Sequence, residues 1–165
     1  MRRGYPEHVT IVRIAALAEE MGAAGVEPDL FHDRMEMILT RMRQYASEML
    51  EAARINFTLE MDESCQHVSL PIEKRKDFYL VFKEAINNMA KYAAAKNATI
   101  RLNYVHRVLE LLISDDGIGF NPDHVYSGNG LKNMRARTSQ LKGELVIHAK
   151  PGEGTHIELK IPVTP

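Results

Sequence analysis

The stretch from Asp77 to Tyr92 limits the folds open to this chain more than any other. Phe78, Val81, Phe82, Ala85, Ile86 and Met89 recur at three- and four-residue steps, the spacing of a helix with one buried stripe. At about 100° per residue, Glu84, Asn88 and Lys91 fall within roughly 60° of one another on a different face. An acid, a neutral amide and a cation thus share adjacent turns. The amide oxygen can ligate a hard cation and the ammonium can meet a phosphate. Glu and Lys at helical spacing are also what a solvated face looks like, so the rest of the chain has to decide.

On both sides of this helix the period changes from helical to two. Ile55, Phe57, Leu59 and Met61 alternate with polar residues and predict a half-buried strand. A polar loop with Pro71 leads into the helix. Beyond it, Thr99–Tyr104 and Val108–Ser114 are two strands joined by a span short enough for a hairpin. Gly130 to Lys142 reads as a helix, followed by strands at Leu145–Ala149 and Thr155–Pro162 with Pro151-Gly-Glu-Gly154 as their turn. About five strands and three helices are expected between residues 55 and 165. Hairpins interrupted by helices predict an α+β fold, a two-layer sandwich of one mixed sheet with helices on one face.

Upstream, Val9 to Met21 reads as a helix, broken at Gly22–Pro28. A second helix runs from about Asp29 to Arg54. In it Phe31, Met35, Ile38, Met42, Tyr45 and Met49 follow alternating four- and three-residue steps, the spacing of a coiled-coil seam. Two accounts fit: a face packed on the following domain, or a helical hairpin that pairs with a second subunit. Residues 1–54 are therefore set apart as an N-terminal helical segment from a domain spanning 55–165.

Composition removes several function classes. Of 165 residues, 45% are apolar and 26% charged, which excludes a disordered or fibrous chain. A net charge of −1 gives no global reason to expect nucleic-acid binding. The single Cys65 cannot form an internal disulfide and reads as a plain thiol of a reducing compartment. No apolar run approaches the ~20 residues of a membrane span. Cytoplasmic location is the expectation, with the chain either free or the soluble end of something larger.

Three glycine-bearing segments follow the central helix: Asp115-x-Gly117-x-Gly119, Gly128-x-Gly130-Leu131 and Gly152-x-Gly154-Thr155. Glycine lets backbone N–H groups approach a ligand with no side chain between. Asp115 ends an apolar strand, and an ionised carboxylate, which only accepts hydrogen bonds, can read the exocyclic amino group of adenine. Gly128–Leu131 opens a helix, whose free N–H groups favour phosphate. Pro151–Gly154 on its own is what a plain hairpin turn looks like. A Walker-type Gly-x-x-x-x-Gly-Lys-Ser/Thr segment is absent. Asn133 stands where the third glycine of a dinucleotide fingerprint belongs.

The order Glu-x-x-x-Asn-x-x-Lys, Asp-x-Gly-x-Gly, Gly-x-Gly-Leu and Gly-x-Gly-Thr resembles the ATP-binding domain of two-component sensor histidine kinases. That domain lies within the wider ATPase group of gyrase and the heat-shock-90 chaperones. The match runs from about Ile55 to Pro162 and is nearest the nitrate-sensor-like subgroup, through Lys83–Asn88, Gly130–Arg135 and Leu141–Gly143. Tyr92 stands where that subgroup often has His. The resemblance implies a Bergerat-type ATP-binding fold, with ATP and Mg²⁺ bound. It further implies that Asn88 ligates Mg²⁺, that Lys91 contacts phosphate, and that Glu84 polarises a water or orders the metal shell. Asp115 would bind the adenine amino group with Thr155 assisting, while Gly117, Gly119, Gly128, Gly130 and Leu131 shape the pocket and a short lid over about Asn121 to Asn129. Gly152 and Gly154 would border the nucleotide.

In such enzymes the γ-phosphoryl group passes to a histidine and then to a response regulator receiver domain, and the kinases pair as homodimers through N-terminal helices. His8 and His32 are the candidate acceptors. His32-Asp33 has the His-acid pairing, but only about twenty residues of helix follow it before Ile55 and leave no room for a second arm. His8 precedes a possible first arm without a matching acceptor box. The expectation is that residues 29–54 end the second arm and that the acceptor lies outside this chain or has been lost. Two other functions share the same pocket: an ATP-binding regulatory module without kinase activity, and an anti-sigma-factor-type serine kinase.

Overall fold

The computed structural model describes residues 34–121, 123 and 128–164. The helix expected over Val9–Met21, together with His8 and His32, lies outside them. The elements, in chain order, are α1 (Met35–Ala52), β1 (Asn56–Met61), a 3-10 turn (Glu63–His67), α2 (Ile72–Tyr92), β2 (Asn97–Val105), β3 (Val108–Asp115), α3 (Gly130–Gln140), β4 (Glu144–Ala149) and β5 (Thr155–Pro162). One five-stranded sheet has the order β1-β2-β3-β5-β4. β1 runs parallel to β2 and every other pairing is antiparallel. The sheet is mixed, as expected. Between residues 55 and 165 the described helices are α2, α3 and the 3-10 turn.

The parallel pair needs a crossover, and α2 supplies it. Register puts Leu102, Leu111 and Leu159 side by side across three strands, with Ile100, Ile113 and Ile157 in the next row. All six are buried under the helices. The opposite face carries Thr99, Arg101, Glu110, His156, Glu158 and Lys160, the alternation of a sheet with one wet side.

α2 begins at Ile72, five residues before the expected stretch, because Pro71 sets the entry and the first turn is polar and apolar-poor. Its buried positions are the predicted six plus Tyr79. α1 buries Met35, Ile38, Leu39, Met42, Ala46, Met49 and Leu50. That seam is spent inside this chain, against α2, the 3-10 turn and β1. Of the two accounts left open by its spacing, the intramolecular one describes α1. Among the described residues one continuous core includes buried residues from Met35 to Val163. The outward face of α1 is polar (Glu36, Thr40, Arg41, Arg43, Gln44, Glu48), with Met37 its one exposed large apolar residue.

α1 stops at a Schellman turn. Arg54 takes φ 59°, its N–H donates to Glu51 O, and Ile55 N–H donates to Leu50 O at 2.9 Å. Ile55 and Leu50 are both buried and supply the apolar contact that accompanies this motif. α3 ends the same way, with Lys142 at φ 53° and Gly143 N–H donating to Thr138 O at 3.0 Å.

Candidate functional site

A cavity of about 640 Å³ opens between α2, the loop after β3, the start of α3 and the first residues of β5. That size is typical of small-molecule sites. Its polar lining includes Glu84, Asn87 and Asn88 from α2, Asp115 from β3 and Thr155 from β5. Its apolar lining includes Met89, Ile113, Ile118, Phe120, Leu131 and Ile157. An apolar slot with a few polar groups suits a flat heterocycle carrying a polar tail.

Asp115 ends β3 opposite Thr155 on β5. Its Oδ1 accepts the Gly117 N–H at 2.8 Å, and the Thr155 N–H also bonds the carboxylate. Burial nonetheless outweighs these donors and raises its pKa above the usual value, with the Asp116 charge adding to the rise. The neighbouring Asp116 does different work. Its carboxylate accepts the N–H groups of Lys96 and Asn97 and the Asn97 side-chain amide, all at 2.8 Å. Those bonds, above all from Asn97, hold its carboxyl below the usual range. It clamps the start of β2 and does not line the cavity.

The loop 115–119 is wedged between two other backbones. A side chain on Gly117 would strike the Ala93 carbonyl at the end of α2, the same carbonyl that accepts the Ile118 N–H at 2.8 Å. Gly119 (φ 60°) and Gly154 (φ 74°) interlock: side chains there would meet the Lys150 and Asp115 carbonyls. Gly152 N–H donates to Ile118 O at 2.7 Å. The turn 151–154 therefore braces the Asp115 loop, and only its successor Thr155 reaches the cavity wall.

The structure brings Glu84, Asn88, Asp115, Gly119, Gly128, Gly130, Leu131 and Thr155 to one cavity. Gly117 stands behind Asp115. Lys91 is exposed and is not among the lining residues. Reading by sequence passed over Asn87, about 60° from Glu84 on the side away from Asn88, and the apolar floor of Ile113, Met89 and Ile157. Among the described residues no group of three or more His, Cys, Asp or Glu could hold a metal. No described helix is long and apolar enough to cross a membrane.

Sequence relatives are sensor kinases. The chain is 26% identical over 125 residues to sensor histidine kinase LiaS of Bacillus subtilis, covering 75% of this chain and 35% of LiaS. It is 35% identical over 100 residues to the histidine-protein kinase/phosphatase DegS of Brevibacillus brevis, covering 60% of this chain and 24% of DegS. The chain thus spans about a quarter to a third of these relatives' length. Among solved structures, the histidine kinase domain of the Erythrobacter litoralis EL346 blue-light activated kinase superposes with a TM-score of 0.66 at 20% identity, covering 97% of this chain and 76% of that one. The catalytic domain of histidine kinase ThkA gives 0.62 at 14% identity, covering 81% and 96%. At such identities these superpositions speak for the fold. Residues 73–165 match the family of histidine kinase-, DNA gyrase B- and HSP90-like ATPases, from the first turns of α2 through β5, and the chain belongs to that family.

Proposed function

We propose that this chain is the catalytic ATP-binding part of a sensor histidine kinase, which binds Mg²⁺–ATP in the 640 Å³ cavity and passes the γ-phosphoryl group to a histidine. The observation that carries the reading is the division of the cavity wall. Asp115 stands at one β-strand end beside an apolar floor, while Glu84, Asn87 and Asn88 form a separate polar flank on α2. Adenine takes the apolar slot, and its amino group donates to Asp115. The phosphates lie along α2 toward the start of α3. Gly119, Gly128, Gly130 and Leu131 line the remaining wall, Thr155 assists Asp115, and Gly117 holds that acid in place.

The residues present fit a magnesium ion. Mg²⁺ is commonly held by one or two protein oxygens plus substrate phosphates and water. Asn88 and Glu84 offer that few, and the absence of a larger acidic cluster among the described residues agrees with it. When bound, Mg²⁺ neutralises phosphate charge. Asn88 would hold it through the amide oxygen. Glu84 would keep an accepting oxygen beside that position, for a water or the metal's shell. Lys91, on the exposed end of α2, would reach phosphate from outside the wall. Positioning and charge stabilisation then account for most of the catalysis.

The acceptor histidine would come from a dimerising helical segment, and a response regulator receiver domain would take the phosphoryl group onward. The reading places this work on the cytoplasmic side of a homodimeric sensor. Calorimetry with Mg²⁺–ATP tests the pocket. Labelled ATP with a helical-hairpin fragment supplied in trans tests the transfer. Acid-labile label on the hairpin is the expected result. Acid-stable label on a partner serine would favour the anti-sigma-factor type, and binding without transfer would favour a regulatory module.

A further inference from the structure

Gly130 is the first residue of α3, and a methyl group built on it would overlap Glu84 Oε1. Its other near neighbours are Glu84 Cδ at 3.1 Å and Asn88 Nδ2 at 3.4 Å. No backbone atom crowds the position, and its φ is not in the left-handed region. Neither conformation nor main-chain approach therefore demands glycine here. Replacing glycine by alanine where the backbone conformation allows it stabilises a protein by about 0.4–1 kcal/mol, chiefly by lowering the entropy of the unfolded chain. Among protein atoms, the group nearest to the place of the missing side chain is the Glu84 carboxylate.

We propose that Gly130 is a positioning residue, whose bare Cα forms the seat that fixes the Glu84 carboxylate beside Asn88 in the cavity. The proposal rests on the reading of that cavity as the Mg²⁺–ATP site. A free glutamate side chain samples several rotamers, and restricting it costs up to about 2 kcal/mol of entropy. A seat that removes the alternatives in advance leaves the acid in place before nucleotide arrives, the sense in which preorganisation helps catalysis. The contact joins α2 to the residue that follows the Gly128-Asn129 wall, so acid, amide and helix start form one unit.

The substitution Gly130→Ala isolates this role, because the methyl meets only the far end of a flexible side chain. The fold should tolerate it and melt no lower than the parent. The readout is the side-chain carboxyl ¹³C resonance of Glu84, assigned by its loss in Glu84→Gln. It should move in Gly130→Ala, while amide resonances of the sheet stay in place. Phosphoryl transfer to the hairpin fragment should fall tenfold or more. In a Glu84→Asp background the shorter acid clears the methyl, and the same glycine substitution should cost less than twofold. An unmoved Glu84 carboxyl resonance overturns the proposal, as does an equal loss in both backgrounds. If Gly130→Ala lowers the melting temperature, Glu84→Asp must restore it; failure to do so also overturns the proposal. Absence of Mg²⁺–ATP binding by the parent chain would instead sink the nucleotide-site reading and leave the resonance result standing by itself.

Discussion

The Gly117 N–H donates to Asp115 Oδ1 at 2.8 Å, so the acid at the end of β3 is held by the turn that it begins. Burial still raises its pKa above the ordinary 3.8. A carboxyl raised in the folded state favours folding below its unfolded pKa, and that contribution is lost as pH rises through the folded value. At neutral pH the half-buried charge is a cost to the free protein, which in the proposed reading the adenine amino group offsets. Asp115→Asn should weaken Mg²⁺–ATP binding by about 5- to 150-fold, from an unmatched polar contact of ~1–3 kcal/mol. The same variant should melt no lower than the parent at pH 7. Parent affinity should also fall on acidification from a pH above that of an ordinary carboxylate, a limb missing in the variant. Calorimetry across pH checks both, and equal affinities at neutral pH would remove Asp115 from the site.

Asp116, one residue on, should behave in the opposite way. Three donors from Lys96 and Asn97 converge on it, and its lowered pKa means that its stabilisation is present above the unfolded pKa and lost as pH falls through the folded value. Asp116→Ala should lower the melting temperature at pH 7 and narrow the gap to the parent in acid, with nucleotide affinity within about twofold for an intact fold. Thermal melts at pH 7 and in acid provide the check. A large loss of affinity with unchanged melting would mean that the two acids exchange roles.

This contrast shows what sequence can and cannot carry. In Asp115-Asp116-Gly117 the first acid was legible from its place at the end of an apolar strand, in step with Leu111 and Ile113. The work of Asp116 at the start of β2 was not, because its partners Lys96 and Asn97 are distant along the chain. The stripe on α2 was legible because period alone sets which residues face the core. Its polar face was legible in angle only, so Lys91 was grouped with Glu84 and Asn88 although it does not line the cavity. Hairpins β2–β3 and β4–β5 follow from short connections, whereas insertion of β5 between β3 and β4 depends on contacts distant along the chain. Of the seam positions of the helix that contains α1, Met35, Ile38, Met42 and Met49 are buried, Tyr45 is half-buried and Phe31 lies outside the described residues; the spacing did not name what covers them. Gly130 reads as a phosphate-loop glycine, and its neighbour Glu84 lies too far away in sequence for any local pattern to join them.

Cys65 sits buried in the 3-10 turn, its thiol directed to Leu102 O at 3.6 Å. Burial, with the Asp62 charge beside it, pushes the thiol up to about 11. Thiolate is the reactive form, and buried thiols with raised pKa are inert. The native protein should therefore leave a thiol reagent unreacted at pH 7.5 over an hour, and titrate one thiol per chain in denaturant. Rapid reaction of the native protein would show that the turn 63–67 opens readily.

Arg137 on α3 pairs with Asp77 on α2 at 2.8 Å, with side-chain exposures of 36% and 19%. Both are partly screened, so the pair is worth at most about 1 kcal/mol. Its place matters more than its strength. It ties the C-terminal half of α3 to the early turns of α2, while the other end of α3 rests against Glu84. A double-mutant cycle with Asp77→Asn and Arg137→Gln should give a coupling of about 0.5–1 kcal/mol in denaturant melts. Both single variants should retain Mg²⁺–ATP affinity within about twofold, because neither residue lines the cavity.

The β2–β3 hairpin turns through His106 and Arg107, at φ 50° and 64°. Two successive left-handed residues make the turn that best matches the twist of the flanking strands, and Asn-Gly is the dipeptide that adopts it most readily. Left-handed backbone costs an ordinary residue roughly 1–2 kcal/mol, and glycine returns part of that gain through its freer unfolded chain. Both side chains are exposed, and the Arg107 carbonyl accepts the Val163 N–H at 2.8 Å, a backbone bond that survives any side-chain change. Replacing His106-Arg107 by Asn-Gly should therefore raise stability by about 1 kcal/mol, measured as a shift of the urea midpoint at constant slope. The turn lies at the far end of β3 from Asp115, so nucleotide affinity should not move. A lower midpoint would mean that the side chains at 106 and 107 contribute more than their backbone costs.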